Sequence, residues 1–167
     1  MTDIDDQVAR IQQAWRRERP DLDVTPIGTI GRLHRLALAL TEELVAVYRA
    51  HGLSEGDFDV LAALRRTGEP FEASPSDLAA STMVTSGGMS KRLDRLEGAG
   101  LVTRRVGSGD ARGRVVALTE AGRRLIDDAF ADHVANEQRL LSMVPAAERR
   151  ALEATLAGWL AHFEGSV

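Results

Sequence analysis

A chain of 167 residues, 44% apolar and 28% charged, has the size and mix of a single globular domain, able to bury roughly two-thirds of its unfolded surface without a disulfide or metal staple. It has no cysteine, which excludes disulfide frameworks, thiol catalysis and cysteine zinc sites. A net charge of −4 excludes a chain that coats nucleic acid indiscriminately. Charge is uneven, however: between Ser76 and Val116, Lys91, Arg92, Arg95, Arg104, Arg105, Arg112 and Arg114 face Asp77, Asp94, Glu97 and Asp110, a local excess of +3. That asymmetry marks a confined anion-binding surface, with nucleic acid the first candidate. The start, MTDIDDQVAR, lacks the order of an export signal, and no run approaches the roughly 18 apolar residues of a membrane span. A cytoplasmic protein with no membrane partner is expected.

In chain order, Ile4, Val8, Ile11 and Trp15 form one narrow helical stripe that ends at Pro20. After the turn-rich ERPDLDVTPIG, a second long helix carries Ile30, Leu33, Leu36, Leu40, Leu44 and Val47 and stops near Gly52. Ser54 and Asp57 have capping-box spacing, opening a helix whose apolar face is Phe58, Leu61 and Leu64 and which closes at Gly68 and Pro70. Ser74, Pro75 and Asp77 start a short helix. Thr85 caps the next, which runs from Ser86 to about Ala99, buries Met89, Leu93 and Leu96, and ends at Gly98 and Gly100. Two β-like runs, LVTRRV and RVVAL, flank the tip GSGDARG as a hairpin. Thr119 starts a long helix with Leu125, Ile126, Phe130, Val134, Leu140 and Leu141, and a last one after Pro145 carries Leu152, Leu156, Leu160 and Phe163.

The expected class is mainly α with a small β-hairpin, a winged helix-turn-helix between terminal dimerisation helices. The segments are 1–52, 53–118 and 119–167 of one domain. In such a unit the second helix enters the major groove and the wing reaches adjacent phosphates or the minor groove. The terminal stripes are too long for a small DNA-binding unit to cover, so a homodimer on double-stranded DNA is expected. On the helix after Thr85, Gly87, Lys91 and Asp94 lie opposite the buried stripe, with Ser90 and Arg95 flanking them. Gly87 and Gly88 each cost roughly 1 kcal/mol of helix propensity, a cost compatible with close approach to phosphates or with a frayed first turn. At the wing tip, Asp110 is placed to brace the loop while Arg112 or Arg114 reaches DNA. The tip is no phosphate-cradling loop, because it lies between two strands and lacks the lysine with serine or threonine.

The run EASPSDLAASTMVTSGGMSKRLDRLEGAGLVTRR, followed by GDARGRVVALTEAGR, closely resembles the multiple-antibiotic-resistance regulator (MarR) family. The resemblance implies DNA contacts from Ser76, Thr85, Ser86, Gly87, Gly88, Ser90, Lys91, Arg95, Asp110, Arg112 and Arg114. The family often has two arginines after the wing aspartate; here Ala111 replaces the first, leaving Arg112 to carry that contact. The amino-terminal helix with Trp15, followed by RPDLDVTPIGTIGRL, resembles the urate-responsive subgroup. That likeness implies an effector site of Trp15, Asp59, Arg92 and Arg104 for urate or a similar small organic anion, with phenolic and tricarboxylate ligands as alternatives. Read from periodicity alone, Asp59 is exposed, Arg104 is solvated, Trp15 is as much a core anchor as a stacking wall, and Arg92 flanks the buried stripe and points inward. No cofactor, metal or catalytic site is expected: His34, His51, His133 and His162 are dispersed, and none belongs to an HExxH or a nucleophile and base pair. A helical protein-interaction module is the rival reading, disfavoured by the basic wing.

Overall fold

A computed structural model describes residues 5–82, 86–106 and 114–165, with Ser86 and Gly87 described by their helical backbone only. The elements are α1 (Gln7–Glu18), α2 (Thr25–Ala50), α3 (Glu55–Arg66), β1 (Glu72–Ala73), α4 (Pro75–Ser81), α5 (Ser86–Gly98), β2 (Val102–Val106), β3 (Arg114–Leu118), α6 (Glu120–Leu141) and α7 (Ala146–Glu164). The fold is mostly helical with a small antiparallel sheet. The chain divides into two compact units, 1–43 and 44–167, so the division falls inside α2.

In the amino-terminal unit, Asp6 caps α1 by accepting a hydrogen bond from the Ala9 N–H at 2.8 Å. The predicted stripe is realised only in part: Val8 is buried, whereas Ile11 and Trp15 remain exposed and the second buried position is Gln12. Gln12 is buried at no cost in polar satisfaction, because its Nε2 donates to the Val24 and Thr25 carbonyls at 3.0 and 3.2 Å. Arg32 ties the start of α1 to α2, its Nε donating to Asp6 Oδ2 at 2.7 Å.

The larger unit is organised around α3. The capping box is present, with the Asp57 N–H donating to Ser54 Oγ at 3.3 Å and the Ser54 N–H to Asp57 Oδ2 at 3.1 Å. The expected one-sided apolar face is wider than predicted, since Val60, Ala62 and Ala63 are buried together with Phe58, Leu61 and Leu64. Neighbours surround this helix, and periodicity cannot reveal that. Around it pack Leu78 of α4, Met89, Leu93 and Leu96 of α5, Val102 and Val116 of the sheet, and Ile126 and Ala129 of α6. Tyr48 stacks on Phe58 with ring centroids 4.1 Å apart, and burial pushes its phenol up to about 12. Its hydroxyl lies 3.2 Å from His133 Nδ1, joining α2 to α6, and His51 Nε2, in the turn after α2, lies 2.8 Å from Asp132 Oδ2 of α6.

The hairpin pairs Val102 with Leu118 through Val106 with Arg114. A short strand was not foreseen: Glu72 and Ala73 pair with Ala117 and Val116, giving the order β1-β3-β2. Two residues carry no readable alternation, and this strand exists because β3 offers it an edge. Thr119 caps α6, accepting from the Gly122 N–H at 2.9 Å and donating to the Gly100 carbonyl at 2.7 Å. A Cβ at Gly122 would lie 2.0 Å from the Leu101 carbonyl oxygen, which is backbone and cannot retreat. Gly122→Ala should therefore force apart the junction of β2 and α6, costing about 1–3 kcal/mol or more, read as a lowered midpoint in thermal denaturation.

Candidate nucleic-acid interface and anion cleft

α4 and α5 are two helices joined across residues 82–85 and followed by the β2–β3 hairpin, the order of a winged helix-turn-helix. Ser74 caps α4, accepting from the Asp77 N–H at 3.1 Å, and its hydroxyl lies 2.7 Å from that of exposed Ser76. α5 buries Met89, Leu93 and Leu96 and leaves Ser90, Lys91 and Asp94 exposed, with Gly88 between the two extremes. Arg114 is exposed at the start of β3. Thr85, the side chains of Ser86 and Gly87, and the wing tip with Asp110, Ala111 and Arg112 lie outside the described residues.

Two arginines that periodicity places in contact with solvent are engaged within the protein. Arg95 Nη2 is hydrogen-bonded to Asp57 Oδ1 and lies 3.2 Å from Ser54 Oγ, so it reaches the start of α3. Arg104 of β2 donates through Nε to Glu97 Oε2 at 2.9 Å and through Nη2 to Asp94 Oδ1 at 2.7 Å. The hydrogen bond from Arg104 holds the Glu97 carboxyl below the usual carboxylate range. The expectation of a solvated Arg104 is corrected here: its partners are carboxylates of α5, and it does not line the cleft described next.

That cleft, about 470 Å³ in volume, is lined by Glu55, Gly56, Asp59, Arg66, Ser81, Thr82 and Arg92. It brings together two of the four residues expected to bind an effector, Asp59 and Arg92. Trp15 belongs to the amino-terminal unit, on α1, and is 49% exposed. Asp59 is half-buried instead of exposed, because the cover comes from other helices and periodicity along α3 cannot report it. Burial pushes its carboxyl above the usual range, reinforced by Glu55 and opposed by Arg92 and Arg66. Arg92 points inward as expected, and its Nε and Nη1 are buried with no hydrogen-bond partner. Unpaired buried guanidinium nitrogens are costly, so the cleft holds donors in want of an acceptor.

Sequence reasoning missed Gly56 and Arg66. A Cβ at Gly56 would fall 2.0 Å from Arg92 Cζ, so this glycine makes the room that the guanidinium occupies; a glycine in the first turn of α3 was the available signal.

Asp57 and Asp59, two residues apart, are shifted in opposite directions. Burial raises Asp57, but hydrogen bonds from Arg95 and Ser54 outweigh it and hold the carboxyl below its ordinary value. Ionised Asp57 therefore stabilises the fold above the unfolded carboxylate range, and that contribution is lost as pH falls through the lower folded value. For Asp59 the sign reverses: its charge costs stability at neutral pH, and the cost disappears as pH falls through the raised folded value toward the unfolded one. Asp57→Asn should lose about 1–3 kcal/mol near neutrality and Asp59→Asn should gain stability. Both differences from wild type should shrink in thermal melts taken at progressively lower pH.

Among the described residues no helix is long and apolar enough to cross a membrane, and no group of three or more histidine, aspartate or glutamate side chains is placed to hold a metal ion. A family model described as MarR family matches residues 51–113. The chain is 41% identical over 150 residues to the HTH-type transcriptional regulator PecS of Dickeya dadantii (strain 3937), with 90% of each chain covered. Among solved structures, AbsC, a MarR family transcriptional regulator from Streptomyces coelicolor, aligns with a TM-score of 0.74 at 26% identity, covering 87% of this chain and 99% of that one. The apo form of wild-type MarR from E. coli shares the fold with a TM-score of 0.67 at 24% identity, covering 83% of this chain and 99% of that one. With a helix-turn-helix, a hairpin and a relative of that similarity along nine-tenths of its length, the chain belongs to the MarR family of DNA-binding transcriptional regulators.

Proposed function

We propose that this regulator is a homodimeric repressor that binds an inverted-repeat operator in the cytoplasm and is released by a small organic anion of the urate type. The observation that carries the effector half is Arg92: a guanidinium on α5 with two buried, unpartnered nitrogens, beside Asp59 in an open cleft. A planar anion supplies the missing acceptors, while Asp59, whose carboxyl holds its proton more readily than usual, accepts from or donates to a ring nitrogen or oxygen. Arg92 is pulled toward the ligand, and α5 moves with it; an effector that prefers one position of that helix shifts the DNA-binding equilibrium. Arg66 offers a second guanidinium in the cleft, a role the resemblance had given to Arg104. Trp15 remains part of the proposal on the resemblance alone.

Dimerisation is supported by α7, in which no residue is buried, and by the exposed Leu141, Leu152, Leu156, Leu160 and Phe163. A second copy gives these faces the cover that one chain lacks, and places the two α5 helices about 34–36 Å apart, one DNA turn. Ser90 and Lys91 then face the major groove, with Ser76, Thr85, Ser86, Gly87 and Gly88 near the backbone and Asp110, Arg112 and Arg114 at the wing. The reaction is binding and release, with no chemistry on the ligand.

Two sets of measurements test this. Light scattering should give a dimer, Lys91→Ala should weaken operator binding, and Arg112→Ala should lower the salt slope by about one per protomer; a monomer, or an unaltered slope, removes the corresponding part. Gly56→Ala should displace the flexible end of Arg92 at a cost in stability of about 1–3 kcal/mol, and should abolish urate-dependent DNA release measured by titration at fixed salt. Release from Gly56→Ala equal to wild type would reject the cleft. Release by a phenolic acid or tricarboxylate in place of urate would keep the cleft and change the ligand.

A further inference from the structure

Two carboxylates near the start of α3 face two arginines one turn apart on α5, and the two pairs differ. Arg92 sits in the cleft near Asp59 with nitrogens unsatisfied. Arg95, by contrast, closes a complete network. Its Nη2 bonds Asp57 Oδ1 and approaches Ser54 Oγ at 3.2 Å, while Asp57 Oδ2 accepts the Ser54 hydroxyl at 2.5 Å and the Ser54 N–H at 3.1 Å. Asp57 is only 4% exposed, and a carboxylate so enclosed is stable as an ion only when a cation and several donors face it. Arg95 is the cation that meets this need, reaching in from a side chain 56% exposed. Farther along α5, Asp94 and Glu97 hold Arg104 of β2. The second half of α5 is thereby fixed to both α3 and the hairpin by charge-assisted bonds, which depend on angle more sharply than apolar packing does.

We propose that Arg95 is a positioning residue of the DNA-reading helix: by way of Asp57 it sets the rotation of α5 against the start of α3, and it does not itself touch DNA. The proposal rests on the reading of α5 as the groove-facing helix. It separates two roles that exposure and charge alone would merge, because an arginine on the outer surface of a DNA-reading helix looks like a phosphate ligand. The roles differ in their salt signature. A guanidinium on a phosphate releases counterions and contributes about 0.9 to the slope of log affinity against log salt, whereas a guanidinium on Asp57 contributes none. They differ also in the sign of a charge removal. Neutralising Asp57 takes a negative charge away from a DNA-binding surface, so a purely electrostatic effect tightens binding; loss of positioning weakens it.

The experiment measures affinity of the full chain for an operator duplex and for a random duplex by fluorescence anisotropy across a salt series. It compares wild type, Arg95→Gln, Asp57→Asn, the double variant, Arg95→Lys and Lys91→Ala. Positioning predicts that Arg95→Gln and Asp57→Asn each lose about tenfold or more in operator affinity, with the salt slope and random-duplex affinity unchanged. The double variant should lose no more than the worse single, because both remove one interaction. Arg95→Lys should retain the charge yet fail to restore operator affinity, since its ammonium ends one bond short of the position from which Nη2 meets both Asp57 and Ser54. It also keeps the test decisive if Asp57→Asn proves too unstable to assay. The proposal is overturned if Arg95→Gln lowers the slope and weakens both duplexes alike, if Arg95→Lys binds as wild type, or if Asp57→Asn tightens binding. Lys91→Ala separates the two levels: if it leaves operator affinity intact, the reading of α5 fails and the proposal with it. If Lys91→Ala weakens binding while the Arg95 results go the other way, only the proposal fails.

Discussion

The burial of α3 is the constraint on which the rest of the larger unit depends. Nearly every residue from Gly56 to Leu64 is removed from solvent, so this helix is a post rather than an amphipathic surface element, and α4, α5, α6 and the sheet all pack on it. A helix enclosed on all sides has to resolve the polar groups of its first turn inside the protein. Here the capping box satisfies the backbone, and the carboxylates of Asp57 and Asp59 are left facing α5. Helix α5 is therefore attached to the core through electrostatics at the start of α3 as well as through Met89, Leu93 and Leu96.

What the sequence disclosed follows the range of the interactions concerned. Caps are local, and Ser54, Ser74 and Thr119 were legible because each acts within three residues. The helices, the hairpin and the buried stripe of α5 follow from short periodicities. Long-range facts were not legible: the enclosure of Asp59, the pairing of Arg95 with Asp57 across 38 residues, and the strand at Glu72–Ala73 depend on neighbours distant in sequence. The first helix shows the same limit in reverse, since the stripe of Val8, Ile11 and Trp15 is periodic yet the second buried position is Gln12, chosen by the carbonyls of Val24 and Thr25. Among the residues expected to bind an effector, Arg92 was readable from helix geometry, whereas Asp59 and Arg104 came from resemblance. Asp59 lines the cleft, and Arg104 bridges strand and helix.

Satisfaction of polar groups is uneven along α5, and the unevenness is informative. Asp94 and Glu97 have partners, Arg95 has partners, and Arg92 has two nitrogens without any. A native protein tolerates such a deficit where another molecule relieves it or where motion needs a poorly held group. One helix thus combines a firmly held half with a half whose charge is still available.

The small sheet has a consequence for the behaviour of the protein in a crowded solution. With β3 in the centre, β2 is an edge strand, and edge strands offer unpaired backbone groups to other chains. Val106 is largely exposed there, and a wholly apolar run over Val102–Val106 would recruit a neighbouring hairpin. Arg104 and Arg105, anchored to Glu97 and to Glu72, place two cations in the middle of that edge. The same arginines that brace the wing therefore guard the regulator against strand-to-strand aggregation, a hazard that grows with the concentration at which a cell maintains it.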